Sequence, residues 1–128
     1  MGTIWIILLS IYLVMLAWSW FGKPIIVKKS KLVPPGAIAW AFAPFILFKD
    51  ERYADETTIN HELIHIEQEK ELLLIPFYIL YVANFIINIF RGTNLPYRNI
   101  MFEREAYQNE DNLDYLKTRK RYNYFKLF

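Results

Sequence analysis

Hydrophobic and polar positions along this chain fall into blocks rather than a fine alternation, and the blocks predict its elements. Thr3 to Phe21 is an uncharged aliphatic and aromatic run. As a helix rising 1.5 Å per residue it reaches about 28 Å, close to the hydrocarbon thickness of a bilayer. Trp5 near one end and Trp18 and Trp20 near the other stand where interfacial aromatics collect, so residues 1–22 predict a transmembrane helix. A cleaved signal sequence is the alternative, with Ala17-Trp18-Ser19 as its cleavage point. The absence of Lys and Arg ahead of the run, and its length, favour an anchor.

Ile25 to Val27 is a short β-branched stretch after Pro24, and Pro34-Pro35-Gly36 breaks the chain. Ala37 to Phe48 is apolar but interrupted by Pro44, too short and broken to span a membrane as a helix. Within it Phe45 to Phe48 predicts a strand, read as an edge strand beside the site. After the charged turn Lys49-Asp50-Glu51-Arg52, Asp55 or Thr57 can cap a helix running from about Glu56 to at least Glu71. Leu72 to Phe90 is a second uncharged run, containing Pro76, Asn84 and Asn88, and is long enough to cross a bilayer. Arg91 to Pro96 ends it. A last helix is expected from near Asn99, carrying Glu103, Glu105 and Tyr107 and continuing toward Lys120. Lys117 to Phe128 mixes basic and aromatic residues and reads as an interfacial or solvated helix end.

Composition turns these blocks toward the membrane. The chain has 128 residues, enough for one small domain, and is 55% hydrophobic and 18% aromatic, high for a soluble domain of that size. The lipid bilayer is therefore the expected partner. A net charge of +2 is too mild to imply nucleic acid. Lys23, Lys28, Lys29 and Lys31 directly follow the first run, which by the positive-inside rule puts the N-terminus outside and the rest of the chain in the cytoplasm. The absence of cysteine excludes disulfides, a thiolate nucleophile and Cys-ligated zinc. Nothing in the sequence fixes an oligomeric state.

Chemistry concentrates at His61-Glu62-Leu63-Ile64-His65, which contains both histidines of the chain. On a helix, residues four apart share a face, so the two imidazoles can grip one metal ion. Glu62 flanks that face, placed to take a proton from a water that the metal activates. Catalytic zinc takes three protein ligands and keeps a position for water, so a carboxylate must complete the set. Downstream candidates are Glu103, Glu105, Glu110 and Asp111; upstream ones are Asp50, Glu51 and Asp55. Glu103 and Glu105 stand about 200° apart on a helix and cannot both face one metal, whereas Glu103, Ala106 and Tyr107 share a face. Gln68, one turn beyond His65, reads as an exposed polar position.

The pair His61-Glu62-Leu63-Ile64-His65-Ile66-Glu67-Gln68 and Phe102-Glu103-Arg104-Glu105-Ala106-Tyr107 resembles the gluzincin-type zinc metallopeptidases, over roughly residues 57–115. In that group HExxH on one helix is completed by a glutamate on a later one. Its membrane members, the prenyl-protein and heat-shock membrane endopeptidases, carry that glutamate at the head of a Glu-x-x-Ala-Asp pattern. The chain is also similar to small bacterial membrane proteins that pair HExxHxxQ with FEREAY. The resemblance implies Zn2+ held by His61, His65 and Glu103, with Glu62 as general base. It also implies a peptide or protein substrate and a bacterial inner membrane, the site facing the cytoplasm or the interface. Tyr107 stands where the group has Asp, and is expected to hydrogen-bond a ligand or a tetrahedral oxyanion.

The expected fold class is thus mainly α with a short β element, a transmembrane helix followed by a small zincin-like domain over residues 23–128. One constraint follows at once. If Leu72 to Phe90 crossed the bilayer, it would carry Glu103 about 28 Å from His65, so the run must be interfacial, re-entrant or packed on the first helix. A non-catalytic membrane protein with a structural metal, or with a partner-binding role, is the competing class.

Overall fold

A computed structural model of the chain describes all 128 residues. The first apolar run is a single helix, α1 (Gly2–Phe21), with almost every side chain exposed and only Ser19 buried. It is the one helix that by itself is long and apolar enough to cross a membrane. Trp18 Nε1 donates to Lys23 C=O at 2.9 Å where the helix ends.

Three short strands follow: β1 (Ile25–Val27), β2 (Ala39–Phe42) and β3 (Phe45–Phe48). They form one sheet in the order β1-β3-β2, with β1 parallel to β3 and β2 antiparallel to it. This corrects the expectation for Phe45 to Phe48, which is a strand but the central one. Pro44, with a cis bond from Ala43, does not end the apolar block; it turns the chain so that Ala37 to Phe48 closes as a tight hairpin. β1 and β2 are the two edge strands, and β2 is the one whose residues reach the cleft beside α2.

The chain then enters α2 (Glu56–Glu71), begun by Asp55, whose carboxylate accepts the Thr58 N–H at 2.8 Å. This backbone bond holds the Asp55 carboxyl below its ordinary range. After α2 the backbone turns through two left-handed leucines, Leu73 (φ 58°) and Leu74 (φ 66°), into α3 (Ile75–Phe90), bent by 111° from α2. The second apolar run is therefore no straight continuation of the HExxH helix. It folds back, and α4 (Met101–Asn109) packs against both α2 and α3.

That last helix is shorter than expected. Asn60 of α2 donates to the carbonyls of Asn109, Glu110 and Asn112 at 2.8–3.3 Å, which satisfies the freed C=O groups where α4 stops. Only a one-turn helix, α5 (Tyr115–Thr118), and a 3-10 segment (Asn123–Leu127) follow. The C-terminal segment is not one helix end, and although much of it is exposed, two of its side chains are docked into the protein. Arg119 is buried between Glu71 and Glu105, with N···O distances of 2.9 Å to each, and Tyr124 is fully buried among Phe102, Ile100, Met101 and Phe77.

Two apolar clusters result. One joins the sheet to α2 and the α2–α3 turn through Ala41, Ile46, Phe48, Ile66 and Leu74, with Tyr12, Met15 and Leu16 of α1 against it. The other joins α3, α4 and the C-terminal segment. The polar face of α2 lies between them.

Candidate metal centre

Because α2 is an uninterrupted helix over the motif, His61 and His65 leave it on the same side, and their Nε2 atoms face each other at 3.1 Å. From α4, Glu103 puts Oε2 3.1 Å from His61 Nε2 and Oε1 3.3 Å from His65 Nε2. These donor atoms form a buried group that could hold one metal ion. Tetrahedral coordination at about 2.0–2.1 Å requires donor–donor edges of about 3.3–3.4 Å, so the separations fit an ion of that size with little movement. Ala106, fully buried on the same face of α4, brings the two helices together there.

Each imidazole is oriented from behind. Gln68 Nε2 donates to Phe102 C=O at 3.0 Å and to Glu105 Oε1 at 2.8 Å, which leaves its Oε1 to accept from His65 Nδ1 at 2.8 Å. His61 Nδ1 donates to Glu110 Oε2 at 2.7 Å. With both Nδ1 atoms so engaged, both Nε2 atoms are turned inward as potential ligands. Glu103 is fixed in the same way: Tyr81 and Tyr97 hydroxyls donate to its Oε1 at 2.8 and 3.2 Å.

The electrostatics match a site that holds a cation. Burial opposes charge on Glu103, but the imidazoles beside it hold its carboxyl well below the usual range. Burial alone would lower His65, yet the Glu103 carboxylate outweighs it and pushes the imidazole up to about 10. Glu62 is pushed up by burial against the pull of both imidazoles.

A cleft of about 810 Å³ opens over these groups, lined on one side by His61, Glu62, His65 and Glu103 and on another by Ala39 and Trp40 of the edge strand. Tyr107 lines it too, its ring edge-on to His61 at 4.6 Å and covered by the Arg98 guanidinium at 4.2 Å. Burial raises the Tyr107 hydroxyl, which keeps it a donor at neutral pH.

Of the carboxylates offered by the sequence, Glu103 alone joins the histidines. Glu105 points away into the ion pair with Arg119, and Asp50 and Asp55 cap helices. Glu110, weighed only as a ligand, stands behind His61 instead. Gln68 is not exposed; it is fully buried against His65. Tyr81 and Tyr97 went unseen, since nothing in an apolar run or a proline turn marks a tyrosine as a carboxylate partner. Comparison with protein-family models, curated proteins and solved structures finds no match for this chain.

Proposed function

We propose that this protein is a membrane-anchored, zinc-dependent metallopeptidase. The observation that carries the reading is the convergence of His61 Nε2, His65 Nε2 and Glu103 in one buried group, with Glu62 beside them on the wall of an open cleft. Two imidazoles and one carboxylate form a nitrogen and oxygen set that suits zinc. Zinc bound there supplies a water of lowered pKa and polarises the scissile carbonyl.

The residues of this chain do the rest. Glu62, its basicity raised by burial, accepts the proton of the attacking water and delivers it to the leaving amine. Tyr107 offers its hydroxyl to the oxygen on which negative charge develops. The edge strand supplies the substrate platform. Ile38 C=O is turned toward β3, where it accepts from Lys49 N–H, and Ala41 C=O is turned outward to the Tyr78 hydroxyl. By alternation the N–H and C=O of Ala39 also face the cleft, ready to pair with an extended peptide. α1 is the anchor of this reading, with the site on the cytoplasmic side or at the interface of a bacterial inner membrane.

The test is cleavage of an unstructured protein such as casein by detergent-purified protein. Activity should vanish with a chelator, return with zinc, and be lost in Glu62→Gln while zinc content is kept. Zinc retention without metal-dependent cleavage in the wild type would favour a structural metal site.

A further inference from the structure

The polarity of α3 is inverted relative to a helix on the surface of a soluble domain. No polar residue of α3 is exposed; its outer face carries Ile75, Ile79, Val82, Ile86, Ile89 and Phe90. Its asparagines face inward and serve the backbone, Asn84 Oδ1 accepting from Met101 N–H at 2.7 Å and Asn88 Nδ2 donating to Pro96 C=O at 2.9 Å. This is the pattern of a helix whose outer surroundings are apolar.

The turn before α3 pairs its N–H groups within the protein. Leu74 N–H donates to Glu69 C=O at 2.7 Å, Leu73 N–H to Lys70 C=O at 3.2 Å and Ile75 N–H to Leu73 C=O at 2.9 Å. Pro76, near the start of α3, removes a donor that would otherwise need a partner. Leu73 C=O also accepts from the Tyr12 hydroxyl of α1. A chain reversal carried by two leucines at positive φ, Leu73 exposed and Leu74 buried, is strained, and in water a glycine or asparagine would carry it at less cost. In hydrocarbon every freed backbone group must find a protein partner, and here a tyrosine of the neighbouring helix supplies one.

The contacts along α1 set the depth. Tyr12 lies near the middle of α1, about 15 Å from Gly2 and about 14 Å from Phe21. At the Phe21 end, the Lys70 and Arg121 cations lie over the Trp20 ring at 4.9 and 5.3 Å, a headgroup-level cluster. Thus the last turn of α2, with the Lys70 side chain reaching up, and the turn that follows it lie beside α1 between the Trp20 level and the Tyr12 level. The bend of 111° exceeds a right angle and sends α3 back toward the side α2 came from.

With α1 as a membrane anchor, a reading on which this rests, we propose that the α2–α3 turn is inserted into the bilayer to about the depth of Tyr12. The outer face of α3 lies against lipid acyl chains. The two helices form a re-entrant wedge confined to one leaflet, and His65, about 12 Å up α2 from Leu73, stands near headgroup level. The occupant of the α3 face is lipid because that face is continuous with the exposed apolar surface of α1, joined to it at Tyr12 and Leu73.

The absence of native cysteine allows single cysteines at Leu73, Ile79 and Phe90, with Leu13 of α1 as a depth ruler. Each is labelled with a small fluorophore and reconstituted in phosphatidylcholine–phosphatidylglycerol vesicles. The vesicles carry lipids bearing a nitroxide quencher either near the headgroup or near the chain end. At Leu73, as at Leu13, the deep quencher should exceed the shallow one by about twofold or more, and at Phe90 the order should reverse. Quenching at Leu73 and Ile79 by aqueous iodide rather than lipid would overturn the insertion. Protection from both, with label-to-label proximity, would overturn it in favour of a second copy of the chain. Failure of lipid quenching at Leu13 as well would remove the anchor and the proposal together. None of these readings depends on metal or on activity.

Discussion

Glu110 Oε2 lies 2.7 Å from His61 Nδ1, reaching back from just past the end of α4 to a ring whose Nε2 is turned toward Glu103. The position that resembles the Asp of the membrane endopeptidases is Tyr107, which only packs edge-on against the same ring. Support for the first histidine thus comes from Glu110, three residues beyond Tyr107. Metal ligands lose affinity when such support is removed, so Glu110→Ala should weaken zinc binding by about 10–100-fold while Glu110→Gln, which can still accept, retains most of it. Competition against a chromophoric chelator measures both.

Glu105, two residues from the candidate ligand Glu103, is the case where helix geometry misleads. It faces away from the metal, which would make it a harmless control, but it is fully buried and binds Arg119, Gln68 and Tyr115 at once. Glu105→Ala leaves Arg119 with a deficit of charge and Gln68 without an acceptor. Breaking a buried pair of this kind costs about 3–5 kcal/mol. The variant should melt well below the wild type in detergent, and an unchanged melting temperature would show the network to be dispensable.

The sequence made α2, its Asp55 cap and the metal-facing pair legible, because each depends on neighbours within four residues. Glu103 could be selected from spacing plus resemblance. The rest depended on partners far along the chain. Gln68 is polar at a position that local pattern assigns to solvent, yet its partners Phe102 and Glu105 lie 34 and 37 residues away. Arg119 looked solvated for the same reason, its acceptor Glu71 being 48 residues distant. The β2–β3 hairpin was hidden by Pro44, which reads as a break and serves as a turn. The bend at Leu73 and Leu74 has no glycine to announce it, and only the distance constraint between His65 and Glu103 required that the second apolar run fold back.

Proton release should accompany metal uptake. The Glu103 carboxylate raises His65 to about 10, so near neutral pH the metal-free imidazole keeps its proton and a cation must displace it. Zinc affinity should therefore rise with pH across the neutral range, approaching about tenfold per unit for this one proton, and flatten as His65 loses its proton unaided. Calorimetric titration in buffers of different ionisation enthalpy counts the protons. A value near zero at pH 7 would contradict this electrostatic picture.

His61, His65 and Glu103 are proposed to hold one metal together. Metal analysis of detergent-purified wild type beside His65→Ala, Glu103→Ala and Glu62→Gln tests it most directly. About one zinc per chain is expected in the wild type and in Glu62→Gln, with a large loss in His65→Ala and Glu103→Ala. Equal zinc in all four proteins, or none in a folded wild type supplied with zinc, would contradict it.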